Sequence, residues 1–288
     1  MKRVLLLELQ NEDPFQSFRA ETFPFLLGGL RALGVDAAWL VAFVPKGLAH
    51  AGGRHVPDLP QADAARLVEL LRERCPDLLI TNNPVVDALS ALIKEACPSL
   101  VMLPVEQLGE GGAQAMTGAR LAAWADAASN APGLLIDDAA PCYERLWLGE
   151  ASPNAEQPIP LIGALPCTYG RRVDQSPAYA ARADVDVGDA RGCSFCSAFE
   201  SSPLRFETEP VELALRQVVA HQTTKALRVD WQRYVVEDTR VILHCERFFE
   251  ALLERNLAPS AFFFCLRIDE FQRVRERLTF WLPRLASG

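Results

Sequence analysis

Short, continuous apolar runs recur along the first 150 residues, each followed by a segment with helical spacing, and few folds accommodate that alternation. The first run, Val4–Leu9, is interrupted only by Glu8. After a polar stretch, residues 18–33 carry apolar side chains at helical spacing and stop at Gly34, a residue suited to a helix C-terminus. Ala37–Val44 is again strand-like, and Ala62–Arg74 sets Ala65, Leu67, Leu70 and Leu71 against Arg66, Glu69, Arg72 and Glu73. The pattern continues with a strand at Asp77–Thr81, a helix at Val85–Ala96 and a strand at Leu100–Leu103. A helix at Gly118–Ala128, a fifth strand at Gly133–Ile136 and a helix near Cys142–Leu148 complete it.

Apolar strands without polar alternation, separated by helices, indicate a parallel sheet covered on both faces. Ligands of such sheets bind outside the carboxyl ends of the strands. Here those ends bring Gln10–Asp13, Thr81-Asn82-Asn83, Pro104–Gln107 and Asp137-Asp138, so Thr81, Asn82, Glu106 and Asp137 are candidate cofactor contacts. Polar loop tips with no ligand are the plain alternative. No GxGxxG follows the first strand, which removes the usual signature of a nicotinamide dinucleotide site. A net charge of −8 argues against nucleic acid or an anionic membrane surface as partner. The apolar run after Met1-Lys2-Arg3 is too short for a signal peptide, and no stretch reaches the roughly 20 apolar residues of a bilayer span. A cytoplasmic protein is expected.

Residues 151–185, rich in Pro, Ala and Ser at their start, are expected as a linker between a domain at 1–150 and a second at 186–288. The second carries a helix at Pro210–Thr223, a strand at Leu227–Trp231, a helix at Val241–Asn256, a strand at Ala261–Leu266 and a helix at Phe271–Leu285. That is about three further βα units. Six of the eight cysteines are scattered, and no disulfide framework is expected; Cys193 and Cys196 form the close pair. Structural zinc would need two more ligands, and no second CxxC or CxxH follows. A thioredoxin-like dithiol opens a helix directly, whereas Ser201-Ser202-Pro203 follows here. These readings, and that of two structural cysteines, stay open on spacing alone.

Arg191-Gly192-Cys193-Ser194-Phe195-Cys196-Ser197 resembles the end of the CxxxCxxC segment of radical S-adenosylmethionine enzymes. Arg205–Glu212 resembles that family's approach to its first barrel helix. Val229–Asp238, Arg240 and Cys245–Leu257 resemble its second strand and helix, and Phe262–Asp269 its third strand. Pro24-Phe25-Leu26-Leu27-Gly28-Gly29-Leu30 is similar to the first helix of the α/β domain in the cobalamin-binding subclass. The resemblance implies an N-terminal Rossmann-like parallel sheet of cobalamin-binding type, followed by a partial (βα) radical-SAM barrel. It implies a [4Fe–4S] cluster held by Cys193 and Cys196, S-adenosylmethionine beside Phe195, and cobalamin on the front sheet. Glu237, Asp238 and Arg267 would lie at the strand ends facing the site.

The chain departs from the family at three points. Asp189 stands where the first cysteine belongs, about three βα units replace the usual six, and the cobalamin-ligating Asp-x-His-x-x-Gly signature is missing. His50 and His55, in a Gly-rich stretch, are expected as surface histidines. The implied activity is cobalamin-dependent radical chemistry, methyl transfer included, on a small molecule or peptide that the residues do not name. The alternative is a catalytically degraded or fragmentary homologue acting as a cobalamin-binding or partner-binding module, a protein partner completing the half-barrel.

Overall fold

The structure, a computed structural model, describes residues 3–10, 22–43, 49–51, 54–56, 59–82, 85, 87–104, 140–148, 159–161, 209–224, 232–236, 239–255, 257, 260–264 and 268–287. It is an α/β fold built on a five-stranded, all-parallel sheet and a second, three-stranded parallel sheet. The first sheet holds β1 (Arg3–Gln10), β2 (Asp36–Phe43), β5 (Leu78–Thr81), β6 (Val101–Pro104) and β7 (Leu146–Leu148), in the order β6-β5-β1-β2-β7. The chain therefore starts in the centre, steps to β2, then crosses to the other side of β1 for β5 and β6. That reversal makes β1/β5 the switch point of a doubly wound sheet. Between β2 and β5 lie a small hairpin, β3 (Ala49–Ala51) and β4 (Arg54–Val56), and helix α2 (Gln61–Arg74).

Strand alternation divides the core. Leu5, Leu7 and Leu9 point to one face, where Leu67 and Leu71 of α2 and Leu89 and Ile93 of α3 (Asp87–Ala96) cover them. Val4 and Leu6 point to the other, against Phe23, Phe25, Leu26, Leu27 and Leu30 of α1 (Phe23–Ala32). Each such large side chain, fully buried, contributes about 1.5–3 kcal/mol. Helix α1 opens with Pro24 in its first turn, where a missing N–H costs nothing. It closes on Gly34 at φ +74°, with Gly34 N–H donating to Arg31 O and Val35 N–H to Leu30 O, the double bond of a left-handed C-terminus. In α2 the same left-handed position is taken by Cys75, whose N–H donates to Leu71 O at 2.8 Å.

The second sheet has the order β10 (Ser260–Phe264), β9 (Gln232–Val236), β8 (Ile159–Leu161), so each strand lies beside its predecessor. Helices α4 (Pro210–Thr223), α5 (Thr239–Leu243), α6 (Cys245–Glu254) and α7 (Ile268–Ser287) share one core with Leu161, Tyr234 and Val236 of its strands. Helix α4 begins on Glu209, whose carboxylate accepts from Glu212 N–H at 3.1 Å, with Pro210 next.

Three expectations change. The helix expected near Cys142–Leu148 is instead strand β7: the apolar triplet Leu146-Trp147-Leu148 is too short for periodicity to tell helix from strand, and pairing with β2 decides it. The single helix expected over 241–256 breaks at His244 into α5 and α6. Within the expected linker, Ile159–Leu161 pairs in parallel with Tyr234–Val236 and begins the second sheet. The segments expected at 118–128, 133–136 and 227–231 lie outside the described residues. Among the described residues, no helix is long and apolar enough to cross a membrane.

Helix α1 meets the chain entering β7 so closely that Cys142 N–H donates to Pro24 O at 2.8 Å, and a β-carbon on Gly28 would collide with the Ala140 carbonyl oxygen. In an open helix interior Gly→Ala gains about 1 kcal/mol. At this position the obstacle is backbone, so Gly28→Ala should instead destabilise by about 1–3 kcal/mol in urea unfolding. A stabilised variant would show that the two segments are not in contact.

Candidate functional site

The carboxyl edge at β1/β5 is built by Asn82. Its backbone N–H donates to Leu7 O at 3.2 Å, continuing the ladder beyond β5. Its side chain adds another rung, with Oδ1 accepting from Leu9 N–H at 2.8 Å and Nδ2 donating to Leu9 O at 3.2 Å. Asn82 and Thr81 are both buried. Asn82 thus clamps the end of β1 at the switch point, setting the rim on which any ligand would rest.

One strand position inward, Glu8 lies on the α1 side of β1 and is 4% exposed. Trp39 Nε1 of β2 donates to Glu8 Oε2 at 3.0 Å. The Arg145 guanidinium sits 5.3 Å from the Trp39 ring centre and 5.7 Å from that of Trp147, within cation–π range of both. Burial pushes the Glu8 carboxyl up to about 7 from its ordinary 4.5, against the opposing pull of Arg145 and the indole hydrogen bond. A carboxyl poised there can hold or release a proton near neutrality.

A second polar cluster links the two sheets. Tyr143, just before β7, packs edge-on against His221 of α4, ring centres 5.1 Å apart. His221 Nδ1 lies 2.9 Å from the Tyr234 hydroxyl on β9. Tyr234 in turn stacks on Phe262 of β10 at 5.3 Å, and Tyr143 lies 6.5 Å from Trp39. Burial raises the Tyr234 hydroxyl above its ordinary range, so it stays protonated.

Of the residues singled out in the sequence, Thr81 and Asn82 come together at the switch point. Glu106, Asp137, Asp189, Cys193, Phe195, Cys196, Glu237, Asp238 and Arg267 lie outside the described residues. Among the described residues no three His, Cys, Asp or Glu side chains gather as metal ligands. Among the described residues, Cys75, Cys97, Cys142 and Cys245 are free thiols. Sequence reasoning passed over Glu8, Trp39, Arg145 and the His221–Tyr234 pair. A signal existed for Glu8, the one charge inside an otherwise apolar run; none existed for His221, whose partners are distant in sequence. No family model matches the chain, and no curated protein matches it.

A carboxyl that titrates higher in the folded chain than in the unfolded one favours folding while protonated. That advantage fades as pH rises through the folded value. Stability should therefore fall between about pH 4.5 and pH 7, by about 3 kcal/mol from Glu8 alone. Glu8→Gln keeps an acceptor for Trp39 but cannot ionise. Urea midpoints at acidic and mildly alkaline pH should show that slope flattened in the variant; an unchanged slope would place the ionisation elsewhere.

Proposed function

We propose that the chain is a protein of the cobalamin-binding radical S-adenosylmethionine type, its front sheet the cobalamin-type domain and its second sheet part of a (βα) barrel. The observation that carries this reading is the position of Cys193-Ser194-Phe195-Cys196 in the chain. It falls, in chain order, between β8 and α4, the first strand and first helix of the second sheet among the described residues. In chain order Glu237-Asp238 directly follow β9, and Arg267 closely follows β10. The residues proposed to face the cluster and S-adenosylmethionine therefore each come, in chain order, after one strand of this parallel sheet and before the next described helix. Strands in sequential order with helices sharing one core are the progression of a barrel wall. In the front sheet, β2-β1-β5-β6 follows the flavodoxin-like doubly wound order, with Thr81 and Asn82 at its switch point.

The donor set fits a cluster in part. Cys193 and Cys196 are soft thiolates two residues apart, and Asp189 offers a harder carboxylate oxygen as third ligand. Held by Cys193, Cys196 and Asp189, a [4Fe–4S] cluster would supply an iron to which S-adenosylmethionine could bind. Phe195 would lie beside the adenine, while Glu106 and Asp137 would join Thr81 and Asn82 at the cobalamin edge. A cytoplasmic setting belongs to the same reading. Asp189 also favours a second reading, a homologue that keeps the binding domain without the catalysis.

Anaerobic reconstitution with ferrous iron and sulfide tests both. Thiolate-to-iron charge-transfer absorption, abolished by Cys193→Ala or Cys196→Ala and strengthened by Asp189→Cys, is expected. A colourless protein that still binds cobalamin would support the binding module. Stoichiometric zinc in the purified protein would contradict both.

A further inference from the structure

Helices α2 and α3 end on the same short sequence. Glu73-Arg74-Cys75-Pro76-Asp77-Leu78 and Glu95-Ala96-Cys97-Pro98-Ser99-Leu100 share Glu-x-Cys-Pro-x-Leu, and in each the proline stops the helix. The two cysteines occupy equivalent places. Cys75 N–H donates to Leu71 O at 2.8 Å and Cys97 N–H to Ile93 O at 2.9 Å, closing the last turn of each helix. The strands that follow are neighbours: Leu78 of β5 pairs in parallel with Val101 of β6, and Val101 N–H donates to Asp77 O at 3.2 Å. The two helix ends therefore enter the sheet side by side at its amino edge. Both helices cover the same face, in one core with Leu67, Leu71, Leu89 and Ile93.

We propose that Cys75 and Cys97 are a dithiol that closes reversibly to a disulfide by exchange with a low-molecular-weight disulfide such as oxidised glutathione. Cys75 is exposed and its thiol donates to Arg72 O at 2.9 Å, whereas Cys97 is partly buried against the shared core. Burial pushes the Cys97 thiol up, negative charge on Cys75 pushes it the same way, and Arg72 opposes both. The two sulfurs and the guanidinium thus share one neighbourhood. Adjacent parallel strands lie about 4.8 Å apart and packed helices about 8–10 Å; a disulfide needs α-carbons within about 7 Å, between those spacings. Cys75 also holds φ +42°, a conformation natural to glycine, so a thiol is kept where glycine would fit with less strain. In the exchange the exposed Cys75 thiolate attacks one sulfur of oxidised glutathione and releases the first glutathione thiolate. The Cys97 thiolate then displaces the second. Two protein thiols are oxidised, one glutathione disulfide is reduced, and the two protons pass to the glutathione thiolates. The bond ties α2 to α3 at the edge opposite Thr81 and Asn82, and it uses neither Cys193 nor Cys196.

The reduced full chain, incubated with glutathione buffers of rising disulfide content and quenched with N-ethylmaleimide, tests the pairing. Trypsin cuts after Arg74 and Lys94, which places the two cysteines on separate peptides. Mass spectrometry without reduction should find these peptides joined, increasingly so as the buffer becomes more oxidising, and separate again after dithiothreitol. Cys75→Gly keeps the left-handed turn and removes the thiol, so it should fold and leave Cys97 reduced or carrying glutathione. The oxidised chain should unfold at higher urea than the reduced one, a difference that vanishes in Cys75→Gly. Both thiols alkylated in oxidising buffer, glutathione on each with no joined peptides, or joining only in urea would overturn the proposal.

Discussion

Helix α4 is buried from two sides, and the arrangement of the rest of the protein depends on it. Leu213 joins the core of the five-stranded sheet, with Ala220 packed against that core, while Val211, Ala214, Leu215 and Val218 belong to the core of the second sheet. Leu213, Gln217, Ala220 and His221 fall along one stripe at helical spacing. A helix apolar around most of its circumference is stable only when enclosed. The two sheets are consequently layers of one structure with α4 between them. Tyr143, His221 and Tyr234 complete the seam with ring contacts and a hydrogen bond in place of aliphatic packing.

This seam bears on function through chain order. The segment with Asp189, Cys193 and Cys196 runs into Glu209 and Pro210, the start of α4. On the proposed reading, cluster ligands in that segment would lead into a helix fixed in two cores, an anchored end that lowers the ordering cost of assembling them. Glu8 illustrates the opposite tendency. A carboxyl inside the central strand lowers stability at neutral pH and is tolerated because Trp39 and Arg145 receive it. Residues that break the local rule of an apolar strand are where function is expected to reside.

The front sheet was legible because its strands are buried on both faces and so appear as nearly continuous apolar runs: Val4–Leu9, Ala37–Val44 and Leu78–Thr81 need no partner to be recognised. Short edge segments were not. Leu146-Trp147-Leu148 and Ile159-Pro160-Leu161 are three residues each, and only their neighbours β2 and β9 make them strands. Of the candidate site, the switch-point residues Thr81 and Asn82 could be placed from the end of β5, but the role of Asn82 as a clamp on Leu9 could not, since the two are 73 residues apart. The β3–β4 hairpin, which pairs His50 with His55, was hidden for a related reason. Histidines five apart carry no strand signal, and a Gly-rich stretch suggests a loop until register is known.

Joining both cores through α4 implies that they open together. Amide hydrogen exchange across a urea series measures this directly, by comparing the most protected amides of β1 and β2 with those of β9 and β10. The two sets should converge on one opening free energy and fall by the same amount in Leu213→Ala. If β9 and β10 exchange at low urea while β1 and β2 stay protected, the sheets are independent units and α4 does not bind them into one.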